Sequence, residues 1–232
     1  MKIHLYELLE GAGKARGLTV IIDVFRCFSL ECYLFDQGAE RILAAGAVEE
    51  ALALHERFPD AVLFGERHGR KLPGFAYGNS PSQSLCEDFT GKTIIHTTSA
   101  GTQGVKQAVN ASEIITGALV NAKAVADYIR SRDPEEVSIV AMGVFGQKSS
   151  EEDVLCAEYI RALLLGEAES FPLRERIEDL KNVRAGAKFF NEEEQDVYPR
   201  DDFFLCTKTD IFPFVIRMEQ KDGMLSAKKI PV

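Results

Sequence analysis

Leu18-Thr19-Val20-Ile21-Ile22-Asp23-Val24-Phe25-Arg26 decides the fold. An apolar run reaches an aspartate without the in-out alternation of a half-exposed strand. It therefore reads as a strand buried on both faces, the usual condition of strands in parallel sheets. The residues after Asp23 carry apolar side chains at helical spacing and stop at Gly38, which predicts a helix. Outward from this pair the alternation continues. RILAA, AVLFG, KTIIHTT, SEIITG and EVSIVAMG read as strands, and AVEEALALHERF, VKQAVN, LVNAKAVADYIRSR and EEDVLCAEYIRALLLG as helices. A further continuous helix is expected over PLRERIEDLKNVRAGAKFF. FPFVIRMEQKDGMLSAKKI reads as a β-hairpin turning at Lys221-Asp222-Gly223. Such alternation argues for an α/β fold, a mostly parallel sheet with helices on both faces. The hairpin and the N-terminal IHLYELL are expected at antiparallel edges, making the sheet mixed. No internal repeat or Pro/Gly/Ser-rich linker divides residues 1–232, so a single domain is expected.

The chain has 232 residues, 46% of them hydrophobic and 27% charged, which excludes disordered, collagen-like and low-complexity classes. Its 27 basic and 36 acidic residues give a net charge of −9. A field of that sign repels phosphate backbones and anionic lipid, so neither nucleic acid nor a membrane is an expected partner. A small anionic substrate needs a local basic cluster instead. No apolar run approaches the roughly 20 residues of a spanning helix. The start, MKIHLYELLEGAGKARG, has no signal-peptide core, and the five cysteines are an odd count without zinc-site spacing. The expectation is a cytoplasmic protein with reduced thiols. A homodimer is left open.

Ligands of such sheets sit beyond the carboxyl ends of the strands, where four polar segments fall. In the first, Asp23 suits metal ligation, base chemistry or attack on phosphorus, and Arg26 suits an anion; the alternative is a helix cap beside a solvent-facing Arg. The second, Gly65 to Lys71, gathers Glu66, Arg67, His68, Arg70 and Lys71 in one loop and continues into Gly74-Phe75-Ala76-Tyr77-Gly78-Asn79-Ser80-Pro81. There Asn79 or Ser80 can cap a helix whose first residue is Pro81, beside the basic cluster. In the third, Thr97-Thr98-Ser99-Ala100-Gly101-Thr102, backbone N–H groups and hydroxyls suit either anion oxygens or ordinary capping. In the fourth, Ser149-Ser150-Glu151-Glu152-Asp153 opens a helix, either as routine first-turn acids or as a carboxylate supply for Mg²⁺. A P-loop is excluded because Cys86 stands where its first glycine belongs, and Gly11-Ala12-Gly13 lacks a third glycine. Arg67-His68-Gly69 matches the short triplet of histidine phosphatases and remains a runner-up mechanism.

Taken in order, these segments resemble the 2-phosphosulfolactate phosphatase family over most of the chain. VIIDVFR resembles the family's D-V-x-R strand end, and GER with GFAYGNSP its G-E-R … G-F-x-x-G-N-S-P block. TTSAGT resembles the T-T-x-x-G-T turn, and SSEEDVLCAE the S-x-E-D-x-x-C-A-G helix start. The departures are RCFSL, where many members have small and Thr residues after the Arg, Ala100 in place of a common Asn, and Glu158 in place of Gly. The resemblance implies a three-layer α/β/α sandwich and Mg²⁺-dependent hydrolysis of (2R)-O-phospho-3-sulfolactate to 3-sulfolactate and phosphate. It further implies Asp23, Glu66 and Asp153 as metal or base candidates, with Glu152 as a further acid or base. Arg26 and Arg67 become the main anion clamps, joined by His68, Arg70 and Lys71. Asn79, Ser80, Thr98, Ser99, Gly101 and Thr102 become oxygen-binding or orienting residues. A phosphatase for another phosphorylated hydroxy acid and a non-catalytic organic-anion binding protein are the alternatives.

Overall fold

A computed structural model describes residues 1–232, the side chain of Lys221 excepted. The chain runs through β1 (Lys2–Glu7), α1 (Leu8–Lys14), β2 (Gly17–Ile22), α2 (Cys27–Asp36), β3 (Arg41–Ala45), α3 (Val48–Arg57) and β4 (Val62–Arg67). β5 (Arg70–Lys71), α4 (Pro81–Ser84), β6 (Thr93–Thr97), α5 (Gly101–Gln107), β7 (Ala111–Gly117), α6 (Ala122–Arg132) and β8 (Glu136–Ala141) follow. The C-terminal part holds α7 (Glu151–Leu165), α8 (Leu173–Asp179), α9 (Arg184–Ala187), α10 (Arg200–Cys206), β9 (Phe214–Lys221) and β10 (Met224–Pro231). The strands form one ten-stranded mixed sheet, ordered β1-β8-β2-β7-β9-β10-β3-β6-β4-β5.

Two parallel blocks, β1-β8-β2-β7 and β3-β6-β4, carry the βα units. The terminal hairpin turns where expected, yet it is not an edge. β9 pairs antiparallel with β7, and β10 with β3, so the hairpin bridges the two blocks. Its buried residues Val215, Ile216 and Ala227 explain the placement, because an edge would leave that apolar surface in water. β1 is at the edge as expected, but it pairs parallel with β8 rather than antiparallel. Helices cover both faces of the second block. Leu43, Ala45, Leu63 and Ile95 face α3 in one cluster, while Ile42, Ala44, Phe64 and Ile94 join the main core on the other side.

β2 and β6 stand third and eighth in strand order. In a flat sheet five spacings of about 4.8 Å would hold them roughly 24 Å apart. Instead the Gly101 N–H, just past β6, reaches the Asp23 carboxylate, just past β2, at 2.9 Å. The sheet therefore curls, and α2 lies within the curl with nine residues, Cys27 to Phe35, buried. That burial accounts for its all-round apolar character.

The C-terminal region departs most from expectation. PLRERIEDLKNVRAGAKFF is not one helix; it breaks into α8, α9 and 3₁₀ turns. The chain folds so closely at Gly186 that a Cβ there would meet the Leu180 carbonyl oxygen at 2.1 Å. This doubling-back packs Leu180, Phe189 and Phe203 against Leu155 of α7. It also turns Lys188 toward the strand ends.

Candidate active site

A pocket opens at the carboxyl ends of β2, β4, β6 and β8, bordered by Asp23, Arg26, Glu66, Glu152, Asp153 and Lys188. Its acids are fixed by backbone amides of neighbouring loops. Asp23 accepts from the N–H of Cys27 at 3.3 Å through Oδ1 and of Gly101 at 2.9 Å through Oδ2. Asp153 accepts from Val24 at 2.7 Å and Gly143 at 2.8 Å. Glu66 accepts from the N–H groups of Ser99 and Gly69, both at 2.7 Å, and from Ser99 Oγ at 3.2 Å. The carboxylates thereby tie together the four polar segments of the sequence. Gly101 permits the closest approach: a Cβ there would lie 2.7 Å from Cys27 Sγ and 3.0 Å from Asp23 Oδ2.

Crowding these acids out of water disfavours their charged forms. Burial pushes the Asp23 carboxyl up to about 6, with the charge of Glu66 adding to the effect and the Cys27 N–H opposing it. Burial pushes Glu152 up to about 7, opposed chiefly by the Lys188 charge. Asp153 is likewise raised by burial and then by the charge of Glu152. Glu152 Oε2 is buried without a hydrogen-bond partner. Lys188 answers this negative charge. Its Nζ lies 5.2 Å from the ring centroids of Phe189 and Tyr198 and 5.8 Å from that of Phe25. Burial lowers its pKa, an effect that the Glu152 charge offsets.

Glu152→Gln removes a carboxylate that is raised on folding. A raised carboxyl contributes stability below its unfolded value near 4.5, and that contribution is lost as the pH climbs through about 7. In metal-free protein the variant is therefore expected to melt higher than wild type at pH 8, with the gap narrowing toward pH 5. Differential scanning calorimetry at the two pH values checks this; a pH-independent difference would contradict it.

Arg26 is buried, and its Nη1 donates to Asp202 Oδ2 at 2.7 Å and to the Val197 carbonyl at 2.9 Å. Its Nη2 donates to the Gly69 carbonyl at 3.3 Å, and the guanidinium lies 5.2 Å from the Tyr198 ring centroid. Asp202 Oδ1 also accepts from Ser80 Oγ and the Ser82 N–H, each at 2.9 Å. Asp202→Ala would leave Arg26 buried without its counter-charge, a loss of about 3–5 kcal/mol for such pairs. The expected fall in Tm is roughly 10 °C. An unchanged Tm would show that Tyr198 and the two carbonyls hold Arg26 unaided.

Other residues singled out in the sequence are placed differently. Arg67 turns away from the pocket and donates to the carbonyls of Glu66 and Gly46 and to Thr97 Oγ1. His68 packs edge-on against Phe145, with centroids 5.0 Å apart, and does not border the pocket. Arg70 and Lys71 border an adjoining cleft, which shares Arg26, Gly69 and Asn79 with the main pocket and also contains Ser80. Thr98 and Thr102 hydrogen-bond to each other beneath the site. The N–H groups of Ser99 and Gly101 are donated to Glu66 and Asp23. The turn thus orients acids, while Ser99 and Ala100 themselves border the pocket. Lys188, Tyr198 and Asp202 were not legible as site residues, because none belongs to a spaced motif and each arrives from the rearranged C-terminal region.

The residues fit a hard divalent cation. Mg²⁺ takes one or two carboxylates and completes its shell with water and phosphate oxygens. Asp23 and Asp153 oxygens each accept one N–H and keep a free lone pair for a cation. Among the described residues only Cys27, Glu31 and His96 bring three ligand atoms within 4.8 Å of one another, and none of the three borders the pocket.

The family described as 2-phosphosulpholactate phosphatase matches residues 3–221. A Bacillus subtilis (strain 168) protein named probable 2-phosphosulfolactate phosphatase is 31% identical over 225 residues, covering 96% of each chain. A Thermotoga maritima protein of the same name is 30% identical over 218 residues, 91% of this chain and 92% of its own. One from Carboxydothermus hydrogenoformans is 40% identical over 165 residues, 71% of this chain and 68% of its own. Among the described residues, no helix is long and apolar enough to cross a membrane.

Proposed function

This chain belongs to the 2-phosphosulfolactate phosphatase family, and from that premise we propose that it hydrolyses (2R)-O-phospho-3-sulfolactate to 3-sulfolactate and phosphate with Mg²⁺ bound. The observation that carries the proposal is one pocket in which four acids, Asp23, Glu66, Glu152 and Asp153, face two cations, Arg26 and Lys188. Asp23 and Asp153 would hold Mg²⁺, which when bound supplies positive charge to the phosphoryl oxygens, while Glu66, whose oxygens accept from Ser99 and Gly69, orients the loops around them.

The chain's own residues supply the rest. Arg26, locked by Asp202, and Lys188 offset charge on the phosphoryl group as it moves from alcohol to water, the main demand of phosphoryl transfer. The oxygen of a water molecule bonds to phosphorus while the ester P–O bond breaks. Glu152, with its pKa near 7 and Oε2 unpartnered, suits the transfer of the water's proton to the departing alkoxide. The adjoining cleft suits the other end of the substrate. Its Arg70 and Lys71 match a carboxylate and a sulfonate, which the phosphate-facing carboxylates would repel.

Arg70→Ala tests that division of labour. It is expected to raise KM for 2-phospho-3-sulfolactate several-fold while leaving kcat within about twofold, and to leave p-nitrophenyl phosphate turnover unchanged. Equal effects on both esters would assign the cleft no part in recognising the acid groups. His68→Ala is expected to retain full turnover, because the ring lies outside the pocket; a complete loss would revive the covalent-histidine alternative.

A further inference from the structure

Beneath the pocket three polar side chains are buried in line. Glu31 on α2, His96 on β6 and Asn79 of the loop before α4 are 0%, 0% and 6% exposed. His96 Nδ1 lies 2.9 Å from Glu31 Oε1, and His96 Nε2 lies 3.2 Å from Asn79 Oδ1. Buried polar groups away from water cost free energy unless each is bonded. Packing alone would not demand them here, since the neighbouring Ile94 and Ile95 on the same strand are apolar and equally buried.

The direction of the last bond matters. Asn79 Oδ1 can only accept, so Nε2 donates to it, and the second proton of the Glu31–His96 pair lies between Glu31 Oε1 and Nδ1. With its oxygen turned down to His96, the amide presents its nitrogen as the remaining hydrogen-bonding end. Asn79 borders both the main pocket and the adjoining cleft, and its amide nitrogen has no partner among the described residues. A freely rotating Asn would offer oxygen or nitrogen alike, and the oxygen would repel an anion. Glu31 holds the imidazole from its far side and so fixes the ring's orientation.

We propose that Glu31 and His96 are positioning residues that act through Asn79, holding its amide so that the N–H₂ group faces the bound anion at the junction of the two pockets. The substrate named above rests on the phosphatase reading, but the orienting role concerns any phosphate-like anion. Cys27 Sγ stands beside this line, within 4.8 Å of Glu31 and His96, yet burial raises its thiol and Thr98 Oγ1 lies 3.6 Å from the sulfur. The thiol is thus a neutral packing neighbour.

A double-mutant cycle on the full-length protein tests the role, read as the Kd for inorganic phosphate by isothermal titration calorimetry. Asn79→Ala and His96→Leu are each expected to weaken phosphate about tenfold. Together they are expected to weaken it no further than Asn79→Ala alone, because His96 acts only through that amide. Glu31→Leu should repeat the His96→Leu effect, and Glu31→Gln, whose amide N–H can donate to Nδ1 and leave the ring proton on Nε2, should restore wild-type affinity; this pair carries the test if His96→Leu does not fold. Additive losses near 100-fold, or unaltered affinity in both His96→Leu and Glu31→Leu, would overturn the proposal. One zinc per purified chain that is lost in Cys27→Ser would also overturn it, by making the trio a metal site. Wild-type turnover of 2-phospho-3-sulfolactate, measured beside the cycle, reports separately on the phosphatase reading.

Discussion

Lys188→Ala is expected to lower kcat by roughly 10²–10³-fold, the scale seen when one preorganised charge-stabilising donor is removed. Lys188 is the cation that faces Glu152, Asp23 and Asp153 in the pocket, and it belongs to none of the segments that carry the family resemblance. Its ammonium makes no ion pair among the described residues, so it is free to meet an incoming phosphoryl group. The aromatic rings of Phe25, Phe189 and Tyr198 hold it there and shield it from water, which strengthens its field at the reacting oxygens. A small amine such as methylammonium should occupy the vacated volume and restore part of the rate, which repairing a merely structural defect would not do. Lys188→Ala activity within threefold of wild type would remove the residue from the mechanism.

Asp23→Asn carries the second large effect. Its carboxylate emerges directly from the buried strand β2, and its two oxygens are fixed by the Cys27 and Gly101 amides. Turnover is expected to fall by a factor on the order of 10³ or more, about 4 kcal/mol of transition-state stabilisation. The Kd for inorganic phosphate should stay within a few-fold, since Arg26 and Lys188 remain. That split separates an enzyme from an anion-binding protein. A variant that keeps wild-type turnover would deny Asp23 a role in the chemistry, whatever its position.

Most of the fold was legible because its signals are local. The LTVIID run, the capped helices and the hairpin turn each follow from side chains within a few positions of one another. The hairpin's insertion between β7 and β3 was not, because strand neighbours are chosen by long-range apolar burial that no local pattern encodes. The break near Gly186 failed for a similar reason: RERIEDLKNVRAGAK has helical composition, and only packing against α7 and α10 makes the chain double back. The site followed the same division. Asp23, Glu66, Glu152 and Asp153 sit at strand ends or a helix start, where topology alone gathers them. Arg67 shows the limit. A basic residue in a basic loop reads as an anion clamp, but its position on β4 aims it at Gly46 and Thr97, while Lys188 takes the place beside the acids. Asp202, the partner of Arg26, was hidden inside an unremarkable Asp-Asp pair at the start of α10.

The most direct measurement is phosphate release from racemic 2-phospho-3-sulfolactate by the purified protein, with Mg²⁺ and again after EDTA. Rapid release with Mg²⁺ that stalls at half conversion, and its loss in EDTA with recovery on adding Mg²⁺ back, is the predicted result. Full release in EDTA would contradict the metal assignment, and no release under any condition would contradict the phosphatase reading itself.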